Sequence, residues 1–357
     1  MATRDPRAAS EWSRSVVTIL IAILLGGCSS ARSTQFDQAI AESRAQVDRL
    51  MQANAIPGVA VAVTVGDRIV WLDGMGVKRD AQFRVGSVSK VITAAALMRL
   101  VDAGRVKLDA PVSLYLPSFP HGEITVGQLA GHLGGIRHYT RSEFLNREHY
   151  ESATASLTRF ANDPLVTTPG EKYAYSSYGF NVIGAIIESA TKQRFDAAMT
   201  SLVFKPLGMR ETSFSELPTA VRWYMKGNDG TVRVAPDVDL SDRWPSGGML
   251  STARDLGHFA IGITKGGFLT SAARDAMFAS QKTNDGKETN VGIAWRMATD
   301  SDGRRFVHHG GEAMGARAFI LLYPAERVSV AFVSNLSFAP FSEKEAGEIA
   351  RRFLPRR

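Results

Sequence analysis

The sequence predicts an α/β fold in two lobes, and three observations lead to that fold class. β-Branched and apolar runs occur near both ends of the 357-residue chain, within residues 58–72 and 292–334. The segment between them carries helical patterns interrupted by proline and glycine. Strands from both ends can pair into one sheet, so the middle segment would be an inserted, mostly helical lobe. A cleft between two such lobes is a natural position for an active site.

The predicted domain boundaries follow from these patterns. Residues 34–106 and 240–357 are expected to build the α/β sheet lobe, and residues 107–239 the mostly helical lobe. A first helix is predicted at Thr34–Asn54 because its apolar residues share one side, and Pro57 lies just beyond its end.

Short sequence patterns also predict the remaining turns, strands and helices. Gly66-Asp67 separates two β-branched runs and is a two-residue hairpin signal. Ser246-Gly247-Gly248 is expected to form a loop. The predicted strands are Gly58–Val65, Arg68–Leu72, Gly292–Met297, Arg305–His309, Ala318–Leu322 and Val328–Ser334. The predicted helices after the first are Val88–Ala103, Asn181–Ala190, Thr252–Ile263 and Glu343–Phe353.

Composition places the chain among globular proteins and argues against nucleic-acid binding. Hydrophobic residues make up 45% of the sequence and charged residues 22%. The net charge of +7 invites a nucleic-acid partner, but four arginines lie within the last seven residues and the remaining excess is scattered. No basic helix is interleaved with aromatic residues, so no nucleic-acid partner is expected.

The first 27 residues have the features of an export signal. The run Val16–Leu25 contains nine apolar residues in ten and follows Arg14. Ten helical residues reach about 15 Å, half of a bilayer core of about 30 Å, so a stable membrane span is not expected. A charged lead, a short apolar run and small residues are typical of a secretory signal.

The signal ends at Gly26-Gly27-Cys28, and Cys28 is the only cysteine in the chain. This ending resembles a bacterial lipoprotein box, in which the cysteine is lipidated and becomes the mature N-terminus. The resemblance implies a signal peptide at 1–27, a tether at 28–33 and a location at the periplasmic face of a membrane. The alternative is a plain signal peptide with a chance cysteine.

Two serine–lysine pairs have the spacing that places both side chains on one face of a helix. Ser87 and Lys90 are at the predicted start of a helix, where free N–H groups and the helix dipole favour an oxyanion. A serine hydroxyl is a weak nucleophile on its own, so it needs a base such as Lys90 to accept its proton. Ser189 and Lys192 are at a helix end, where the dipole has the wrong sign, so this pair is predicted to be a chance match.

The surroundings of Ser87 resemble the class C β-lactamase and D-Ala-D-Ala peptidase family. The resemblance starts at Phe83–Leu97 and continues in order along most of the chain. The further matching blocks are Leu108–Pro117, Ile124–Ile136, Pro169–Phe180, Lys205–Met209 and Gly247–Leu256. It implies a β-lactamase/transpeptidase-like fold, with an antiparallel sheet flanked by helices.

The family's first two motifs imply roles for four residues. Ser87 corresponds to the nucleophile and Lys90 to its base, while Tyr175 corresponds to the tyrosine that relays a proton to the leaving group. The last position of that second motif is usually asparagine and is Ser177 here. Substrate recognition by Ser177 is therefore an expectation that rests on a hydroxyl, which both donates and accepts hydrogen bonds.

The third motif, a lysine or histidine followed by a small residue and glycine, matches His309-Gly310-Gly311. His308 offers a second register, but the distance to Gly315 favours His309. The resemblance implies that His309 and Gly311 contact substrate. It also implies that the backbone N–H groups of Ser87 and Glu312 form the oxyanion hole.

Within the family, His132–Ile136 with Arg137-His138-Tyr139, and the Tyr175-Ser176-Ser177 variant, resemble the mitochondrial serine β-lactamase-like protein and its bacterial relatives. That subgroup is linked to peptidase-type activity. The resemblance implies a serine hydrolase that forms an acyl-enzyme on a D-Ala-type peptide. An ester, a β-lactam or a non-catalytic envelope scaffold are the alternatives. No cofactor is expected, and no metal site, because His121, His132, His138 and His149 lack a metal-ligand spacing. The oligomeric state and the natural substrate stay open.

Overall fold

A computed structural model describes residues 35–356, so the predicted signal peptide, tether and Cys28 lie outside the described residues. The chain divides into two compact units, the first ending at Val47 and the second beginning at Asp48. Helix α1 covers residues 35–54, close to the predicted helix. No helix within residues 35–356 is both long and apolar enough to cross a bilayer.

The second unit is built on one antiparallel sheet of six strands in the order β2-β1-β10-β9-β8-β7. This confirms the predicted fold class. In chain order the strands are β1 Val59–Val65, β2 Arg68–Met75, β3 Phe83–Arg84, β4 Tyr224–Lys226, β5 Val232–Val234, β6 Leu250–Ser251, β7 Arg296–Thr299, β8 Arg305–Ala313, β9 Ala316–Tyr323 and β10 Val328–Ser334. Strands β3 and β6 form a separate short pair, as do β4 and β5.

Helices cover the sheet and fill the middle of the chain. They are α2 Val88–Asp102, α3 Val126–Ala130, α4 Ala153–Ser156, α5 Ser177–Thr191, α6 Phe195–Met199, α7 Lys205–Leu207, α8 Trp244–Gly247, α9 Ala253–Thr264, α10 Ser271–Met277 and α11 Glu343–Phe353. Helix α9 packs against β1 and β10, and α11 packs against β9 and β10. Helices α2, α5 and α8 pack against one another through a continuous apolar core.

The boundaries of most elements lie within a few residues of their predicted positions. Gly66 adopts a left-handed φ of 59° in the β1–β2 turn, which a side chain would disfavour. Helix α11 has the predicted limits, because Ser342 and Glu345 form a capping box at its start. The sheet does combine both ends of the chain, while the lobe boundaries at 107–239 stay a prediction.

Two local predictions are wrong. The strand predicted at Gly292–Met297 begins only at Arg296, because Asn290 and Ala294 have φ values of 56° and 69° that no strand tolerates. The predicted Ser246-Gly247-Gly248 loop is mostly helical, because Ser246 and Gly247 are the last two residues of α8. Pro245 lies in the first turn of this helix, where proline is favoured.

Two glycines let strand β8 approach the start of α2. A Cβ atom at Gly311 would lie 2.0 Å from the carbonyl oxygen of Val85, and one at Gly86 would lie 2.4 Å from the carbonyl oxygen of Glu312. Gly86 also has a φ of 49°, in the left-handed region. The absence of both side chains therefore permits the backbone contact that brings β8 to Ser87.

Strand β8 keeps one open edge beside that contact. Strand β7 pairs only with Arg305–His308, whereas β9 pairs with residues 307–313. Within the described part of the chain, residues 309–313 therefore have no strand partner on the β7 side.

We expect Gly311→Ala to lower the free energy of unfolding by about 1–3 kcal/mol, because overpacking against fixed backbone forces the chain to shift. Gly347 in α11 is the matched control, since a Cβ atom there meets nothing within 4 Å. Gly347→Ala should stabilise by about 0.5–1 kcal/mol through helix propensity. Urea unfolding of both variants measures this, and equal stabilities would contradict the proposed contact.

Candidate active site

The hydroxyl of Ser87 lies at the start of the buried helix α2. Ser87 is the N-cap residue, and its own backbone N–H has no acceptor among the described residues. Helix α2 is anchored around it by Ser89, whose Oγ accepts a hydrogen bond from the backbone N–H of Met249. The side chain of Ser87 is only partly buried, so its oxygen is open to a cavity.

Lys90 lies one turn later with its side chain fully buried. Its Nζ is 3.0 Å from Ser87 Oγ, 2.9 Å from Ser177 Oγ and 2.6 Å from the carbonyl oxygen of Ser246. No carboxylate among the described residues forms an ion pair with this amine. The spacing predicted from the sequence thus brings the lysine onto the serine hydroxyl.

Burial is the main reason that the pKa of Lys90 is lowered to about 7. The charged amine loses hydration there, and no anion replaces the water. The Tyr139 phenol acts in the opposite direction, while the guanidinium groups of Arg296 and Arg243 lower the pKa further. A large fraction of Lys90 is therefore neutral at neutral pH and has a free lone pair.

Tyr175 completes a three-residue cluster with these two side chains. Its Oη donates a hydrogen bond to Ser87 Oγ over 2.9 Å. Burial raises the pKa of this phenol, and the hydrogen bond to Ser87 and the charge of Arg296 oppose that rise. The phenol therefore stays protonated at neutral pH.

His132 holds the segment that carries Tyr175. Its carbonyl oxygen accepts a hydrogen bond from Ala174, and its Nδ1 accepts one from Ser176, on either side of the tyrosine. The imidazole packs against the phenol with ring centroids 4.5 Å apart. Burial lowers the pKa of His132 and keeps it neutral, as accepting a bond at Nδ1 requires. His132 therefore orders the loop on which Tyr175 lies.

Ser177 contacts the base instead of the cavity. Its side chain is fully buried, and its Oγ accepts a hydrogen bond from Lys90. Its backbone N–H donates to Nδ1 of His138, a contact that sequence reasoning did not anticipate. The predicted role of Ser177 in binding substrate stays a prediction, and the structure places the residue beside the amine.

His309 lines the cavity, and its neighbour His308 points elsewhere. Nδ1 of His309 lies 2.7 Å from the carbonyl oxygen of Gly310, and its buried Nε2 has no partner among the described residues. Burial and then the charge of Lys90 lower the pKa of His309, which is therefore neutral. His308 instead contacts Glu343 at 3.2 Å. His309 therefore lines the same cavity as Ser87, and its predicted contact with substrate stays a prediction.

The two predicted oxyanion donors are neighbours across the β8–α2 contact. A Cβ atom at Gly311 would lie 3.1 Å from the backbone nitrogen of Ser87, and one at Gly86 would lie 2.7 Å from that of Glu312. The backbone nitrogens of Ser87 and Glu312 therefore both lie where strand β8 approaches the start of helix α2. Their role as oxyanion donors stays a prediction.

A cavity of about 700 Å³ opens above Ser87. Most of its wall is apolar or cationic, and Glu312 is the one acid among the lining residues that the structure describes. The lining residues include Ser87, His138, Tyr139, Arg141, Leu145, Tyr175, Met225, Arg296, His309, Glu312, Met314, Arg317 and Phe338. A slightly larger cavity of about 800 Å³ lies around α9, but it contains none of the predicted site residues.

Arg296 and the loop 137–146 are parts of the site that sequence reasoning missed. The guanidinium of Arg296 lies 5.6 Å from the ring of Tyr175 and has no acidic partner among the described residues. The loop is braced by Arg137, which donates to both carboxylate oxygens of Glu143 over 2.9 and 3.0 Å. The run Arg137-His138-Tyr139 in the sequence could have indicated the loop. Arg296 could not be recognised because it lay inside the strand wrongly predicted at Gly292–Met297.

Comparisons with known proteins agree with this geometry. A family model described as Beta-lactamase matches residues 44–352. The human mitochondrial serine beta-lactamase-like protein is 26% identical over 400 aligned positions, which cover 82% of this chain and 73% of that protein. Penicillin-binding protein 4 of Amycolatopsis lactamdurans is 29% identical over 333 positions, which cover 84% of this chain and 86% of that protein.

A solved structure shares the fold over nearly the whole chain. It is the D-stereospecific amidohydrolase from Streptomyces sp., with a TM-score of 0.74 and 24% identity, covering 89% of this chain and 98% of that one. The match of the family model to most of the sequence, together with these relatives, shows that the chain belongs to the β-lactamase family, whose members are serine hydrolases.

Proposed function

We propose that the chain hydrolyses small peptides that end in a D-amino acid, through an acyl-enzyme on Ser87, in the bacterial cell envelope. The observation that carries this proposal is the contact of Ser87 Oγ with both a buried amine and a phenol, Lys90 at 3.0 Å and Tyr175 at 2.9 Å. One group accepts the proton of the nucleophile and the other returns a proton to the leaving group.

Acylation begins with the neutral form of Lys90. Its two N–H bonds are directed to the carbonyl oxygen of Ser246 and the hydroxyl of Ser177, so its lone pair faces Ser87 Oγ. As Ser87 Oγ forms a bond to the substrate carbonyl carbon, its proton moves to Lys90 Nζ. The carbonyl oxygen becomes an anion, which the N–H groups of Ser87 and Glu312 stabilise.

The tetrahedral intermediate then breaks the bond to the leaving nitrogen. Tyr175 gives its phenol proton to that nitrogen and regains a proton from Lys90, so the amine leaves neutral. Water attacks the acyl-enzyme by the same route in reverse, with Lys90 accepting the water proton. The products are a carboxylic acid and an amine, and Ser87 is restored.

Two features support a peptide with a free carboxylate as substrate. The open edge at residues 309–313 offers backbone groups to an extended chain. Arg296 lies beside Tyr175 without an acidic partner among the described residues, where the leaving group must be to receive a proton. A carboxylate on the leaving group would therefore meet a guanidinium. Esters and β-lactams present the same kind of carbonyl, and the lifetime of a penicillin adduct separates a peptidase from a β-lactamase.

The envelope location rests on the N-terminal sequence. The apolar run Val16–Leu25 and the single Cys28 support export followed by lipidation. A lipid on Cys28 would hold the enzyme at the periplasmic face of a membrane, where peptides ending in a D-amino acid are available.

Ser87→Ala should lower turnover by about 10⁴-fold or more, because among the described residues only the Ser87 hydroxyl both contacts Lys90 Nζ and lines the cavity. Ser189→Ala is the matched control: Ser189 has the same spacing to a lysine, but its Oγ donates to the carbonyl oxygen of Tyr115. Intact-mass measurement after a fluorophosphonate and, separately, a penicillin should show one adduct on Ser87 in the wild type and the control. Persistence of the penicillin adduct favours a peptidase and its rapid loss a β-lactamase. Absence of both adducts from a folded sample would contradict the mechanism.

The rate of acylation should rise with pH through about 7, since Lys90 acts as a base only when it is neutral and its pKa is lowered to about 7. Single-turnover labelling of Ser87 between pH 5 and 9 measures the profile. Lys90→Arg provides the comparison, because a guanidinium stays protonated over this range and should be inactive throughout. A wild-type rate that does not change across pH 7 would exclude Lys90 as the base.

Cys28→Ser should move the protein from the membrane fraction to the soluble periplasmic fraction, because serine cannot carry the thioether-linked lipid. Incorporation of labelled palmitate into the full-length chain in a bacterial host checks this directly. Equal membrane association of both proteins would contradict lipid anchoring.

A further inference from the structure

Two large apolar side chains in the catalytic cavity are exposed. Phe338 is 78% exposed and Leu145 is 49% exposed, and both line the cavity that contains Ser87. Met225 and Met314 line the same cavity. Scattered apolar residues on a surface need no explanation, but four apolar residues that line one cavity mark a binding surface.

Phe338 is held in place against its backbone preference. Its φ of 56° lies in the left-handed region, which a bulky residue rarely adopts. Its backbone N–H donates to Glu312 Oε1 over 2.7 Å, and that carboxylate is 3.5 Å from the guanidinium of Arg317. The preceding Ser337 accepts a hydrogen bond from the backbone N–H of Gly315 over 2.8 Å. The aromatic ring is therefore presented by a fixed turn.

The same bonds connect the apolar residues into one wall. The backbone N–H of Ser337 donates to the carbonyl oxygen of Tyr224, next to Met225. Gly315, which donates to Ser337, follows Met314 in the turn between β8 and β9. Met225, Met314 and Phe338 thus come from three segments that meet beyond the Glu312 end of β8.

The positions of the charged and apolar groups in the cavity indicate which half of the substrate contacts Met225, Met314 and Phe338. The leaving group must reach Tyr175, and Arg296 lies beside that tyrosine. The oxyanion donors are at Ser87 and Glu312, so the acyl half extends away from Arg296 and past Glu312. That direction leads to Met314 and Phe338.

We propose that Met225, Met314 and Phe338, with Leu145, form a subsite for a bulky apolar acyl group, so that the preferred substrates are apolar on the acyl side and anionic on the leaving side. This inference rests on the proposed acyl-enzyme at Ser87 for the direction of the substrate. Filling an apolar pocket of this kind changes kcat/KM by about tenfold or more.

Two esters with one leaving group test the subsite, 3-carboxyphenyl acetate and 3-carboxyphenyl phenylacetate. Their kcat/KM values are divided by the rates of alkaline hydrolysis to remove intrinsic reactivity. The wild type should favour the phenylacetyl ester by about tenfold or more, and Phe338→Ala should reduce that ratio toward one. Leu114→Ala is the control, because Leu114 is 63% exposed but lies outside the cavity, and it should keep the wild-type ratio and rates. A wild-type ratio near one, or an unchanged ratio in Phe338→Ala, would overturn the proposal.

A binding measurement separates this inference from the proposed function. If neither ester is cleaved and no fluorophosphonate adduct forms, the proposed function fails while the subsite can still be measured. Calorimetry of Ser87→Ala should then show about tenfold tighter binding of N-phenylacetyl-D-alanine than of N-acetyl-D-alanine, and the additional Phe338→Ala change should remove the difference. Equal affinities for the two ligands would reject the subsite.

Discussion

The burial of one amine determines how the site of this protein is built. Lys90 is fully buried, and no carboxylate among residues 35–356 pairs with it, so its positive charge is disfavoured and its pKa falls to about 7. Its Nζ forms hydrogen bonds with Ser87, Ser177 and Ser246, which lie in or at the ends of three different helices. Moving α5 or α8 would remove one of the three hydrogen bonds of the buried amine, which is costly. The packing of these three helices and the lowered pKa of Lys90 therefore depend on the same buried contacts.

A second constraint is the close approach of strand β8 to helix α2. Gly86 and Gly311 provide it, because neither has a side chain to separate the two backbones. The approach brings the backbone nitrogens of Ser87 and Glu312 close together. Among the described residues, 309–313 have no strand partner on the β7 side, so this unpaired edge lies beside the Ser87 hydroxyl.

The outer parts of the cleft are polarised. Arg296 makes the end beside Tyr175 cationic, whereas Phe338, Met225 and Met314 form an apolar end near Glu312. The cationic end comes from Arg296 at the start of β7, whereas the apolar end comes from Met225 in β4, Met314 between β8 and β9, and Phe338 after β10.

The sequence by itself determined the local elements and the central chemistry. Regular periodicity and turn residues place strands β1, β8, β9 and β10 and helices α2, α5, α9 and α11 within a few residues, because each is specified by neighbours along the chain. The Ser87–Lys90 spacing and the ordered motifs around Tyr175 and His309 indicated the family for the same reason.

Only the tertiary structure decided which distant side chains meet. It placed Ser177 on the amine, brought His138 to the start of α5 and put Arg296 beside Tyr175, where a predicted strand had concealed it. It also showed that Phe338 is exposed in the catalytic cavity. These contacts join residues that are tens to hundreds of positions apart and depend on how helices and strands pack. Sequence periodicity carries no information about such distances, since it records only which face of an element is apolar.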